Sequence, residues 1–319
     1  MTTALATHGD KLTCFTAALA SALVARGETR WWRPLLAGGP TLSVSPVEDD
    51  LLLFEHDAVP PLPALGLRVN GDDDWATAYH ALEEQVAEHG SVVLLADIFH
   101  LPWQHGYQRW HAPHWLAVVE TIEGWVIEDP LTMTTELGKQ AGQRIPVLAA
   151  AELRAWSVGL GQDHTVALLR ERAMAGSSAI HAGKTYRWLE AHPVAPLASG
   201  ADRLVGADAL IALASRYQFA STPSDFTQID DLWQALRQRE LLLWASDLDA
   251  DLLDAAGREH WERALVEWRK LPPLLMHARM RAAAGGTVPT AHIAETLLSL
   301  AEFEGKHSAF AHNPRTGRE

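Results

Sequence analysis

Two apolar runs, residues 115–120 (WLAVVE) and 125–129 (WVIED), flank the turn residues 121–124. Short runs of β-branched and aromatic residues split by so tight a turn have one simple solution, an antiparallel hairpin. If position 121 faces 124, paired numbers sum to 245. His114 then faces position 131, and Asp129 lies two residues from that point on the same face. Diagonal neighbours of this kind sit roughly 7–8 Å apart at Cα, within side-chain reach, and a one-residue slip would put the two on opposite faces. The spacing predicts an aspartate able to orient a histidine. The plainer alternative is that Asp129-Pro130 only stops a strand and that His114 is an ordinary half-buried histidine.

The flanking sequence extends the pattern. Residues 91–97 (SVVLLAD) read as a buried strand with a polar end. The spacing of Trp75, Tyr79, Leu82 and Val86 predicts a helix over 75–89, closed by Gly90. Residues 10–26 predict another helix, with Asp10 or Thr13 as cap and Gly27 as stop. Residues 28–70 read as loops with one strand, and 164–169 as a further strand. From about residue 173 the spacing turns helical, over 203–217, 227–246, 249–270 and 288–304, and the tail after Phe310 reads as frayed. The expected fold class is α+β. A first domain over 1–172 has a central antiparallel sheet, and a mostly helical domain follows over 173–319.

Lys and Arg number 26 against 40 Asp and Glu, a formal charge of −14, which argues against a nucleic-acid binder. No apolar run reaches the 18 or so residues of a membrane span, and the start lacks the layout of a secretory signal, so a cytoplasmic protein is expected. The single cysteine, Cys14, excludes an internal disulfide and a cysteine-rich zinc site. His100, His105, His111 and His114 crowd together, but their spacing matches no usual ligand pattern, so no metal is expected. Gly38-Gly39-Pro40 and Gly285-Gly286 read as turns, because no Lys-Ser/Thr follows either.

Cys14 falls in the first turn or two of the predicted 10–26 helix. Backbone N–H groups there lack intrahelical partners and the dipole is positive, so thiolate is favoured over thiol. The same N–H groups could meet an oxyanion once that thiolate attacks a carbonyl. Read alone, Cys14 is more simply a small buried hydrophobe.

A nucleophile on an early helix, a histidine on a later strand and an acidic orienter on the next resemble the papain-like superfamily. The Cys-to-His separation is 100 residues, shorter than the roughly 130–150 of large papains and similar to the compact bacteriocin-leader peptidases. Three blocks carry a narrower resemblance: HGDKLTCFTAALASAL at 8–23, VVLLADIFHLPW at 92–103 and HAPHWLAVVETIEGWVIEDP at 111–130. They resemble the BtrH-like family of butirosin biosynthesis. What that resemblance implies is acyl transfer from a carrier-protein thioester to an amine acceptor. Cys14 would be nucleophile, His114 general base and acid, and Asp129 orienter. No cofactor is implied beyond the phosphopantetheine arriving on the acyl carrier protein. A hydrolase or cyclase on the same site, and an inactive papain-like binding scaffold, are the alternatives.

Further readings remain open. His8 and Asp10 precede the cysteine where papain-like enzymes place an oxyanion donor. An aspartate would repel the oxyanion, so the Cys14 backbone N–H comes first and His8 is kept as a substrate-binding candidate. Asp97 could hold a cationic amine or cap a turn. Trp103, Trp110 and Trp115 could wall a cleft or fill the core. Arg26, Arg30 and Arg33 could dock an acidic carrier or offset a helix dipole. The helical half could supply a lid, an acceptor pocket or a homodimer interface.

Overall fold

The computed structural model describes residues 8–47, 51–55, 62–135, 137–161, 164–175, 184–193 and 203–307; the tail after Phe310 lies outside them. The chain forms two compact units, residues 1–37 with 59–199, and residues 38–58 with 200–319.

In the first unit, helix α1 is Cys14–Ala25 and helix α2 is Trp75–His89. Strands β1 (Leu67–Asp72), β2 (Ser91–Asp97), β3 (Pro113–Thr121), β4 (Gly124–Asp129), β5 (Gln143–Pro146) and β6 (Tyr186–Ala191) make one sheet. Its order is β1-β6-β2-β3-β4-β5, and every neighbouring pair is antiparallel. β3 and β4 pair from Ala117↔Glu128 to Thr121↔Gly124, the register that the turn predicts.

β2 is buried along its whole length because both faces are covered. On one face Val92, Leu94 and Ala96 join Leu116, Val118, Ile127 and Trp188, under Ala78, Leu82 and Val86 of α2. On the other, α1 packs over β3: Phe15 meets Trp115 with ring centroids 5.1 Å apart, and the Ser91 hydroxyl donates to the Ala22 carbonyl at 3.3 Å. α2 has the ends its sequence predicts. The Asp74 carboxylate accepts the Thr77 N–H, and Gly90 takes the left-handed conformation that terminates the helix.

Several expectations are corrected. The first unit runs past 172, because β6 lies between β1 and β2 and cannot be removed without splitting the sheet. Residues 164–169 do not form a strand. The Leu168 N–H bonds the His164 carbonyl and opens a helix over Thr165–Ala175. The described residues of the region 28–70 carry three strands, not one. Two of them, Ser43–Pro46 and Leu52–Glu55, pair with Leu204–Val205 in a three-stranded sheet of the second unit.

The rest of the second unit is helical: Ala207–Tyr217, Ile229–Ser246, Ala255–Trp268, Leu271–Ala283 and Thr290–His307. Its interior holds a buried ion pair. The Arg239 guanidinium donates to Glu304 at 2.7 Å and lies 4.3 Å from the Trp268 ring centroid. The Trp268 indole N–H also reaches Glu304, at 3.2 Å. No helix among the described residues is long and apolar enough to cross a membrane.

Candidate active site

α1 starts one residue after Thr13, which is extended and caps it. The Thr13 hydroxyl accepts the Thr16 N–H, and the Thr16 hydroxyl accepts the Thr13 N–H at 2.8 Å. Cys14 is therefore the first helical residue, at the positive end of the dipole, and it is buried. The turn before it is braced against the end of β4. The Gly9 carbonyl accepts the Thr132 N–H at 3.0 Å, and a Cβ on Gly9 would overlap the Pro130 carbonyl, so only glycine fits there.

His114 opens β3 and Asp129 closes β4, both almost wholly buried. The His114 Nε2 lies 3.0 Å from Asp129 Oδ2, and Cys14 hydrogen-bonds the His114 ring. With Nε2 turned to Asp129, Nδ1 is the nitrogen left for the sulfur. The structure thus brings Cys14, His114 and Asp129 together. Burial disfavours a charged His114 ring, but the charge and hydrogen bond of Asp129, followed by those of Cys14, outweigh it. The pKa of His114 is raised to about 10.

Asp129 Oδ2 accepts two further bonds, from the Trp103 indole N–H at 2.8 Å and from Gln104 Nε2 at 2.7 Å. Its Oδ1 is buried and takes no partner among the described residues. Behind Gln104, its Oε1 accepts from Gln140 Nε2 at 2.5 Å, and Gln140 Oε1 accepts the His105 backbone N–H at 3.0 Å. The sequence reading passes over Gln104 and Gln140. One follows Trp103 in a loop and the other ends a short ribbon strand, Gly138–Gln140, so neither carries a periodic signal.

The other expected site residues fall elsewhere. Trp103 bonds Asp129 and meets Trp156 edge-on at 5.3 Å, which makes it a brace of the aspartate. Trp115 is a core residue, 1% exposed against Phe15, and does not line a cleft. Asp97 is not open to an amine either. Its Oδ1 accepts the Phe99 and Ala112 N–H groups, and its Oδ2 meets His111 Nδ1 at 2.5 Å. The turn-capping alternative for Asp97 is the one found. His111 is stacked between the rings of Phe99 and His164, at 4.4 and 4.2 Å. His8 is half-buried in the turn before α1, and burial, then the charge of Lys11, lower its pKa. Asp10 is exposed and pairs with Lys11. Arg26 turns to Ser91, while Arg30 of the basic patch is exposed and Arg33 half-buried. Among the described residues no group of three or more His, Cys, Asp or Glu is placed to hold a metal ion.

No family model matches this chain, and no curated protein matches it.

Proposed function

We propose that the chain is a papain-like cysteine acyltransferase, moving an acyl or aminoacyl group from a carrier-protein thioester to an amine. One observation carries the reading: a cysteine at a helix start is hydrogen-bonded to a buried histidine that is itself bonded to a buried aspartate. A helix on an antiparallel sheet, with His and Asp on adjacent strands, supports the papain-like fold.

In the first half-reaction, with the proton of the pair resting on His114, the Cys14 sulfur attacks the thioester carbonyl. An S–C bond to Cys14 forms as the bond to the phosphopantetheine sulfur breaks, and the imidazolium returns the proton to that departing sulfur. In the second, an amine attacks acyl-Cys14, the C–N bond forms, and the S–C bond breaks. His114 takes the proton that the amine loses. The first-turn N–H groups of α1, which have no carbonyl four residues back, face the oxyanion of each step. His8, kept neutral by its lowered pKa, is the nearest imidazole N–H in sequence to share that task. A buried triad keeps water from competing with the amine. The carrier docks on the arginines after α1, and neither half-reaction draws on a metal or a resident cofactor.

The test uses an aminoacyl N-acetylcysteamine thioester, a small mimic of the loaded carrier, followed by intact-protein mass spectrometry. A single adduct is expected on the wild type and none on Cys14→Ala; a diamine should then release it as an amide. No wild-type adduct, or one that persists in Cys14→Ala, overturns the reading. Release as free acid alone makes the enzyme a hydrolase and overturns the transferase assignment.

A further inference from the structure

We infer that Gln104 and Gln140 are positioning residues that hold the Asp129 carboxylate against His114 Nε2, an inference that deepens the proposed function and depends on it. Asp129 Oδ2, His114 Nε2 and Gln104 Nε2 form a triangle with sides of 3.0, 3.1 and 2.7 Å. Those sides give an angle of about 60° at the amide nitrogen, half the roughly 120° between its two N–H bonds. The amide therefore cannot aim one hydrogen at Asp129 and the other at His114. One atom of the three must accept, and which one depends on how the Gln104 amide is turned.

That orientation is fixed from outside the triangle. The His105 N–H can only donate, so Gln140 must present its oxygen there and its nitrogen to Gln104. Gln104 then presents its oxygen to Gln140 and its nitrogen to Asp129. A backbone amide thus dictates, through two side chains, that a donor points at Oδ2. With the indole N–H of Trp103 on the same oxygen, Asp129 is held as an acceptor, and only the Nε2–H form of His114 satisfies it. That leaves Nδ1 for Cys14. Without the relay, a rotated Gln104 would put its own oxygen beside Oδ2, and the repulsion of the two acceptors would push the carboxylate off the ring.

The relay can be broken without touching the triad. In Gln140→Met the side chain neither accepts from His105 nor donates to Gln104, so nothing holds the Gln104 nitrogen on Asp129. Gln104→Leu removes the donor outright. The readout is the rate at which iodoacetamide alkylates Cys14, measured from pH 5 to 11 by mass shift. The chain has one cysteine, so Cys14→Ala run in parallel subtracts adducts on other side chains. Circular dichroism checks that each variant is folded, and 15N-histidine spectra, with His114→Gln to assign the ring, read its protonation.

In both variants the pH step tied to His114 moves down by about one unit or more, a tenfold change in proton affinity, because the carboxylate is no longer held on the ring, and the ring titration in the 15N spectra moves with it. A residue that only fills space would leave the pH step in place. Folded variants whose step and ring signal match the wild type overturn the positioning role while leaving the acyltransferase reading intact. A wild-type Cys14 no more reactive than in His114→Gln overturns both.

Discussion

Replacing Asp129 by Asn tests the electrostatics of the site with little change in shape. Asn keeps the volume and one acceptor oxygen for Trp103 and Gln104, but removes the charge facing His114. Burial disfavours the imidazolium, and the leading compensation is the Asp129 charge, which helps lift the ring to about 10. Without that charge the pKa should fall back to the ordinary value of about 6.5 or below, a change of roughly three units, or about 4 kcal/mol at ~1.4 kcal/mol per unit. A histidine Cε1–H titration by NMR, with His114 identified by its loss in His114→Gln, measures the shift directly. The sign also fixes the effect on stability. A raised folded pKa gives stability that is complete below about 6.5 and lost as pH rises through about 10. In a Cys14→Ala background, where sulfur no longer titrates, the stability advantage of the chain that keeps His114 over the His114→Gln variant should shrink with rising pH across that window. The slope approaches 1.4 kcal/mol per pH unit, and Asp129→Asn should flatten it. A His114 midpoint that moves by less than about one unit in Asp129→Asn would refute the assigned role of the carboxylate.

Three further outcomes are expected. Trp103→Phe keeps the ring against Trp156 but removes the indole donor to Asp129; urea unfolding should show a loss of about 1.5–3 kcal/mol, the range for hydrogen bonds to charged groups. Gly9→Ala forces the turn before α1 away from Pro130 and should slow Cys14 alkylation with little change in the circular dichroism spectrum; an unchanged rate would show that this close approach does not place the nucleophile. In the second unit, Glu304→Leu strands a fully buried Arg239 and should cost about 3–5 kcal/mol, while the double variant Arg239→Met/Glu304→Leu should recover most of it in the same unfolding assay.

The parts of the fold legible in the sequence are those where one periodicity dominates. The 121–124 turn fixes the register of β3 and β4, and that register brings His114 to Asp129. Asp74 and Gly90 mark the ends of α2 because each supplies a backbone conformation or acceptor that few residues can. β6 is hidden by its own chemistry. Tyr186 and Trp188 face the α2 side, but the alternate position is Arg187, a buried arginine whose guanidinium donates to the Leu160 carbonyl. A charged residue on a strand covered on both sides breaks the apolar run that would reveal it. The helix Leu271–Ala283 begins with Pro272 and Pro273, which read as a break; in a first turn proline displaces no intrahelical bond and is tolerated. Gln104 could be found only by locating a partner of Asp129 25 residues before it, and Gln140 only by then locating the partner of Gln104, 36 residues further on.

Stability alone gives no reason for the arrangement around Asp129. A carboxylate, an imidazole and a thiol share a site from which water is excluded, and one carboxylate oxygen has no partner among the described residues. Apolar side chains of similar volume commonly match or exceed the stability of a buried ion pair, and an unpartnered buried oxygen costs about 1–3 kcal/mol more. The surroundings do not relax this cost. Three donors crowd onto Oδ2 and a glutamine pair locks the amide behind it, so the carboxylate is held as an acceptor in one pose. The proposed acyl transfer supplies a reason for such an arrangement. A proton must leave sulfur, wait on nitrogen and return to a different atom, with water kept out at each stage. A charged, rigid acceptor behind the imidazole makes that waiting state stable. If the reasoning holds, filling the site with apolar groups (Cys14→Ala, His114→Leu and Asp129→Leu together) should raise the unfolding free energy while abolishing the adduct. A triple variant less stable than the wild type would mean that the triad is kept for the fold.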